Sequence, residues 1–389
     1  MAWNKTISYF ALLVFGSIFV CACVEPFDAE VSAKQLDILI IDGYINVGPG
    51  ETRIILSKVS ALSAEEGIAY EEGADVRIEN NVGESFLLNE TEEGIYTSGE
   101  LNLTADKQYR LFITLAGGKE YASEFQNPKI TPPIDSIHWE YKTDLLYIYA
   151  NSHDATGASR YYRWAYQEDW QIKTPFKSEL KYDKTQNPTI FERPDPEMLA
   201  MHNCWKKAKS RGLIFGTTAV LTDDNIKFPV TTIPHSSEKT SVKYSIIVNQ
   251  HTITEDEFNY LTLMIKNTTQ TGSFFDPMPS QLFGNIKQMN NPTETVIGYV
   301  GVYTTEQSIF FILEADLPPG DVAQHRCEQD VIQFPDTEAN RESYFGGSSP
   351  AYVPYQLISD PLFPSIIAMP RVNCMDCRSD VTGPRPDFW

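Results

Sequence analysis

The chain has 389 residues, 42% hydrophobic and 12% aromatic, and carries a formal charge of -21 at pH 7. A single core stops growing at roughly 250–300 residues, so the length predicts two domains. Phosphate backbones require clustered Lys and Arg; no basic stripe offsets this acidity, and the charge argues against a nucleic-acid partner.

Lys5 provides a positive start, "ISYFALLVFGSIFV" is apolar from Ile7 to Val20, and "VCAC" follows at once. This is the pattern of a secretory signal over residues 1–22. A membrane anchor is not expected: the run is shorter than the ~20 residues of a spanning helix. The "VEPFDAE" beyond it is acidic and lacks the Lys/Arg that follow a stop-transfer segment. "VCAC" resembles a bacterial lipobox, with Val20 at minus-three, Ala22 at minus-one and Cys23 as lipid acceptor, although Cys21 stands where Ala or Ser is commoner. That resemblance implies acyl chains on Cys23, each buried CH₂ contributing ~0.8 kcal/mol of membrane affinity, with residues 23–35 as an acidic tether.

From Leu36 to about residue 130 short β-branched runs alternate with turns: "LDILIIDGYI", "TRIILSKV", "ADVRIENNVGESFLL", "EGIYTSGEL" and "QYRLFITLAGGKEYASEF". Gly and Asn in "IENNVGES" and "LAGGKEY" fall where hairpins need positive φ, so neighbouring strands are expected to pair antiparallel. The spacing predicts an immunoglobulin-like or transthyretin-like β-sandwich over residues 36–130. "ITPPIDSI" reads as a linker, since two prolines do not fit a central strand.

Residues 131–389 read as a larger β-rich domain, with strands in "HWEYKTDLLYIYAN", "SRYYRWAYQEDWQI", "VKYSIIVNQH", "TVIGYVGVY" and "SIFFILEADL". One helix is clear, near 254–268: Thr254 and Glu257 have capping-box spacing, and Phe258, Leu261, Met264 and Ile265 make one apolar stripe. "GSFFDPMPSQLFGNI" then breaks regularity and reads as a packed Ω-like loop, with a binding loop as the alternative. Trp139, Tyr141, Tyr161, Trp164, Trp170, Phe274 and Phe275 are candidates for an aromatic binding surface. Against that stands parity: Tyr162, Trp164, Tyr166 and Trp170 alternate as in a half-buried strand.

With Cys21 discarded and Cys23 acylated, Cys204, Cys327, Cys374 and Cys377 remain, an even set in an exported chain, which favours two disulfides in any of three connectivities. A Cys₄ zinc site would need a second close pair, and a redox CxxC belongs at a strand-to-helix junction, not beside Gly383, Pro384 and Pro386. The C-terminal tail is expected to be a stapled strap. Histidines at 138, 153, 202, 235, 251 and 325 show no metal spacing, and neither metal nor cofactor is expected. HExxH, GxSxG, Walker, GxGxxG and EF-hand patterns are missing, and no catalytic residue is nominated.

"YYRWAYQEDW" after "NSHDATGASR", "CW" at Cys204-Trp205, "KYSIIVNQHTITEDEFNY", the "GSFFDPMPSQLFGNI" block with "VIGYVGVY", and the terminal "CMDCRSDVTGPRPDFW" together resemble an uncharacterised Bacteroidota lipoprotein family, domain of unknown function 4249. The acidic Glu25, Asp28 and Glu30 resemble surface-export signals of that phylum. The resemblance implies an outer-membrane lipoprotein, on the periplasmic face or the cell surface, that binds as an accessory to a TonB-dependent uptake receptor. An enzyme acting on glycan or peptide and a surface adhesin are the alternatives.

Overall fold

Apolar residues spaced two apart set the first strand: in Leu39–Asn46, Leu39, Ile41 and Ile45 are buried while Asp42 stays exposed on the opposite face. The computed structural model describes residues 38–59, 68–269, 283–318, 327–333, 337–347, 350–358, 365–369, 372–381 and 383–389. The signal segment, Cys23, Phe274 and Phe275 lie outside them. The protein is mainly β.

The first sheet begins with an antiparallel pair, Leu39–Asn46 with Arg53–Lys58. Hairpins follow at both sequence-predicted turns. Gly83 and Gly118 adopt φ of 91° and 81°, the left-handed values that glycine accepts without strain. The Ser85–Glu92 strand pairs with Asp75–Asn80 through its first half and with Ile95–Thr97 through its second. This hand-over lets the sheet fold across itself, so that Ile41 and Ile54 share one core with Val76, Ile78, Leu111 and Ile113.

Residues 36–130 do not complete this unit. Three later strands return to it: Ile286–Gln288 adds antiparallel beside Glu120–Ser123, while Val296–Ile297 and Gly301–Tyr303 add parallel to Leu39–Asn46. The proline segment between the units is tied down. Thr131 bonds twice to Thr304, at 2.9 and 2.6 Å, and the Pro132 carbonyl accepts from Gln250 at 3.0 Å.

Two further sheets enclose the second core. One pairs Ile134–Lys142, Leu145–His153 and Asn225–Pro234; the other runs Asn203–Lys209, Tyr161–Lys173, Lys243–Thr252, Glu306–Leu313, with Ile214–Thr217 beside the start of Tyr161–Lys173. Ile148, Trp164, Ile246 and Val248 are among the residues between them. The helix runs Glu255–Thr269, and Phe258, Leu261 and Met264 pack in one cluster. Two short helices that the sequence reading did not anticipate, Asp195–His202 and Glu338–Phe345, join it. Their stripes are a little over two turns long and weakly patterned, too short for periodicity to register.

The tail is a strap. Cys204 is bonded to Cys377 and Cys327 to Cys374, with Cα separations of 6.0 and 5.9 Å, so the two cysteines of the CxxC go to different partners. Beyond Cys377, Gly383 lies against the Lys207 side chain, and Phe388 and Trp389 meet Phe311.

Candidate functional site

The described members of the aromatic set proposed from sequence do not form one surface; Phe274 and Phe275 lie outside the described residues. Trp164 and Trp170 are 1% and 7% exposed, and the Trp164 indole N–H donates to Gln250 at 2.9 Å. Trp139 and Tyr141 are half-buried against the same core, whereas Tyr161 packs on Phe258 in the cluster that also holds Tyr303. Strand parity points Trp164 and Trp170 between two sheets, where aromatic area is removed from water.

A different set of residues converges where the first sheet meets the sheet that carries Tyr161–Lys173. Tyr44 and Asp42 share the face of Leu39–Asn46 turned away from its core, and cross-strand pairing puts Arg53 and Ile55 on that face too. On Tyr161–Lys173, Arg163 alternates with the core residues Tyr162 and Trp164, and it stands opposite His251 in the antiparallel register. The Tyr44 ring bridges the two sheets: it stacks on Tyr303 at 4.6 Å and meets His251 at 4.8 Å. Its hydroxyl bonds to Thr305 at 3.0 Å.

Glu257 enters this junction from the first turn of the Glu255–Thr269 helix. Its backbone N–H donates to the Thr254 hydroxyl at 3.2 Å, the half of the capping box that forms. The carboxylate turns inward, with Oε1 3.5 Å from Arg163 Nη1. Oε2 and the hydroxyls of Tyr303 and Tyr260 are buried without a well-formed hydrogen bond among the described residues, although Tyr303 faces both Glu257 and Arg163 and Tyr260 faces the Gly298 backbone. Gly301 makes room for it: a Cβ there would stand 2.5 Å from Glu257 Oε2.

Burial governs the electrostatics. It holds the Glu257 carboxyl up to about 7 although Arg163 pulls the other way. Burial, with the Arg163 charge adding to it, pushes His251 down to about 3, so the imidazole is neutral near neutral pH. Tyr303 is raised well above its ordinary value by burial and the nearby Glu257 charge. Burial opposes the Arg163 charge, but Tyr303, Glu257 and Asp42 outweigh it and raise its pKa.

In front of this cluster opens a pocket of about 330 Å³, lined by Asp42, Gly43, Tyr44, Glu51, Arg53, Ile55 and Arg163. Residues 24–309 match the family described as Domain of unknown function (DUF4249). The chain belongs to that family. Every residue of the junction falls inside the DUF4249 match, whereas the match ends before Cys327, Cys374 and Cys377. The C-terminal CxxC, part of the initial resemblance, therefore lies beyond the matched segment. Comparison with curated proteins finds none that matches the chain.

Among the described residues, no group of three or more His, Cys, Asp or Glu side chains comes together as a metal site, and no helix is long and apolar enough to cross a membrane. Sequence reasoning missed the junction because its members are scattered from Asp42 to Thr305 and only Glu257 belongs to a local motif, where its spacing from Thr254 reads as a helix cap. The one available signal was Arg163, a cation set inside the aromatic run "YYRWAYQEDW".

Proposed function

We propose that this DUF4249 protein is an exported, lipid-anchored binding protein of the outer membrane, acting as an accessory to a TonB-dependent uptake receptor. The observation that carries the export reading is the pairing of all four remaining cysteines in two disulfides, a pattern that persists in oxidising compartments. It agrees with the signal-like residues 1–22 and with Cys23 as acyl acceptor. The binding reading draws on the junction, where an open pocket lined by charges of both signs backs onto a buried, preorganised cluster. The receptor enters through the resemblance stated from sequence, an associational argument.

Gentle detergent extraction of the native protein from its own envelope, followed by mass spectrometry of what co-purifies, tests the role. A TonB-dependent receptor is expected in stoichiometric amount. Folded protein that emerges alone in repeated extractions counts against an accessory role.

A further inference from the structure

We infer that the mouth of the junction is a binding site for a small zwitterion, a free α-amino acid or a dipeptide, held by its ammonium and carboxylate groups. Four charged side chains line the pocket, Asp42 and Glu51 against Arg53 and Arg163. Among the described residues, Asp42, Glu51 and Arg53 make no ion pair or side-chain hydrogen bond, although charges of the opposite sign border the same cavity. A site of this kind disfavours a simple anion or cation, because either would meet two like charges. A molecule with both charges satisfies the two pairs at once.

Arg163 supplies the fixed point. Glu257 and Tyr303 face Arg163 from within, while a quarter of its side chain stays exposed and lines the pocket, where a guanidinium can meet a carboxylate. Arg53 reaches the same cavity from the adjoining sheet, and the exposed Asp42 and Glu51 offer acceptors to an ammonium group. Tyr44 is held by its stack on Tyr303 and its bond to Thr305, so one wall is rigid before any ligand arrives. The volume lies at the small end of the roughly 300–1,000 Å³ typical of ligand pockets, which suits one or two residues and not a longer peptide.

This inference rests on the reading of the chain as a binding protein, but not on the receptor. The test is isothermal titration calorimetry on the full mature protein in detergent, with L-alanine, L-alanyl-L-alanine, N-acetyl-L-alanine and L-alaninamide as probes. Saturable binding of alanine, the dipeptide or both is expected, and which of them binds distinguishes the two sources. Blocking either charge should weaken binding roughly tenfold or more, since each blocked probe loses charge-assisted hydrogen bonds. Asp42→Asn and Arg53→Ala, both at exposed positions and each to be checked for an unchanged circular-dichroism spectrum, should each weaken the zwitterion by a similar factor. The inference is overturned if neither zwitterion saturates the wild-type protein, if blocked and free probes bind equally, or if both variants bind as the wild type does. A negative result here leaves the receptor role standing, and an envelope extract without a receptor leaves the pocket standing.

Discussion

Replacing Cys204 and Cys377 together by alanine will lower the unfolding free energy of the second unit by roughly 3–5 kcal/mol, read as a lower denaturant midpoint. The bond spans 173 residues, and closing a loop of that length removes roughly 5 kcal/mol of chain entropy from the unfolded state by the loop-closure argument. Both cysteines also pack in the second core beside Trp170 and Ile172, so alanine removes apolar contact without burying a hydroxyl. A second consequence is local. The bond fixes the start of the segment that carries Gly383 onto Lys207 and Phe388 and Trp389 onto Phe311, so the tail should become sensitive to protease in the variant. The matching Cys327→Ala/Cys374→Ala variant opens a 47-residue separation and should lose less, roughly 4 kcal/mol at most. An unchanged midpoint with a protected tail in the Cys204/Cys377 variant would mean that the strap is held by packing alone.

The second large effect is a pH signature of the junction. Glu257 has its carboxyl raised to about 7 from an ordinary 4.5, so its contribution is full below pH 4.5 and is lost as pH rises to about 7. The loss amounts to about 3 kcal/mol. His251 is depressed to about 3 from 6.5, so its contribution is full above pH 6.5 and is lost as pH falls to about 3, a change of about 5 kcal/mol. Between pH 4.5 and 6.5 the two slopes oppose each other, and wild-type stability should be nearly level across that window. Glu257→Gln removes one slope and leaves the other. Its stability should climb steadily from about pH 3 to about pH 6.5, whatever constant offset arises from leaving Arg163 without its carboxylate. Denaturant melts of the two proteins at half-unit pH steps check this, and curves that run parallel would contradict the assignment.

Local structure was largely legible in the sequence, while long-range assembly was not. "TRIILSKV" became Arg53–Lys58, and "HWEYKTDLLYIYAN" became the hairpin of Ile134–Lys142 with Leu145–His153, because alternation and turn residues are local signals. The helix at Glu255–Thr269 announced itself through its stripe and its Thr254 cap. "TVIGYVGVY" was legible as strand but not as a partner of Leu39–Asn46, more than two hundred residues earlier, since parallel pairing leaves no turn signature. The spacing of Thr254 and Glu257 named a cap and concealed the buried ion pair, because the same carboxylate satisfies either role and only packing decides. Disulfide pairing was open for the same reason: the CxxC cysteines are close in sequence, yet their partners are fixed by where Cys204 and Cys327 lie in the fold.

A lipid anchor at Cys23 would place the chain at the envelope, and the most direct test is mass spectrometry of the N-terminal peptide of protein extracted from its native membrane. The account predicts a peptide that begins at Cys23 and carries the added mass of acyl chains, with residues 1–22 gone. A peptide that retains residues 1–22, or one that includes Cys23 without acyl mass, would contradict the anchor and with it the proposed place beside an outer-membrane receptor.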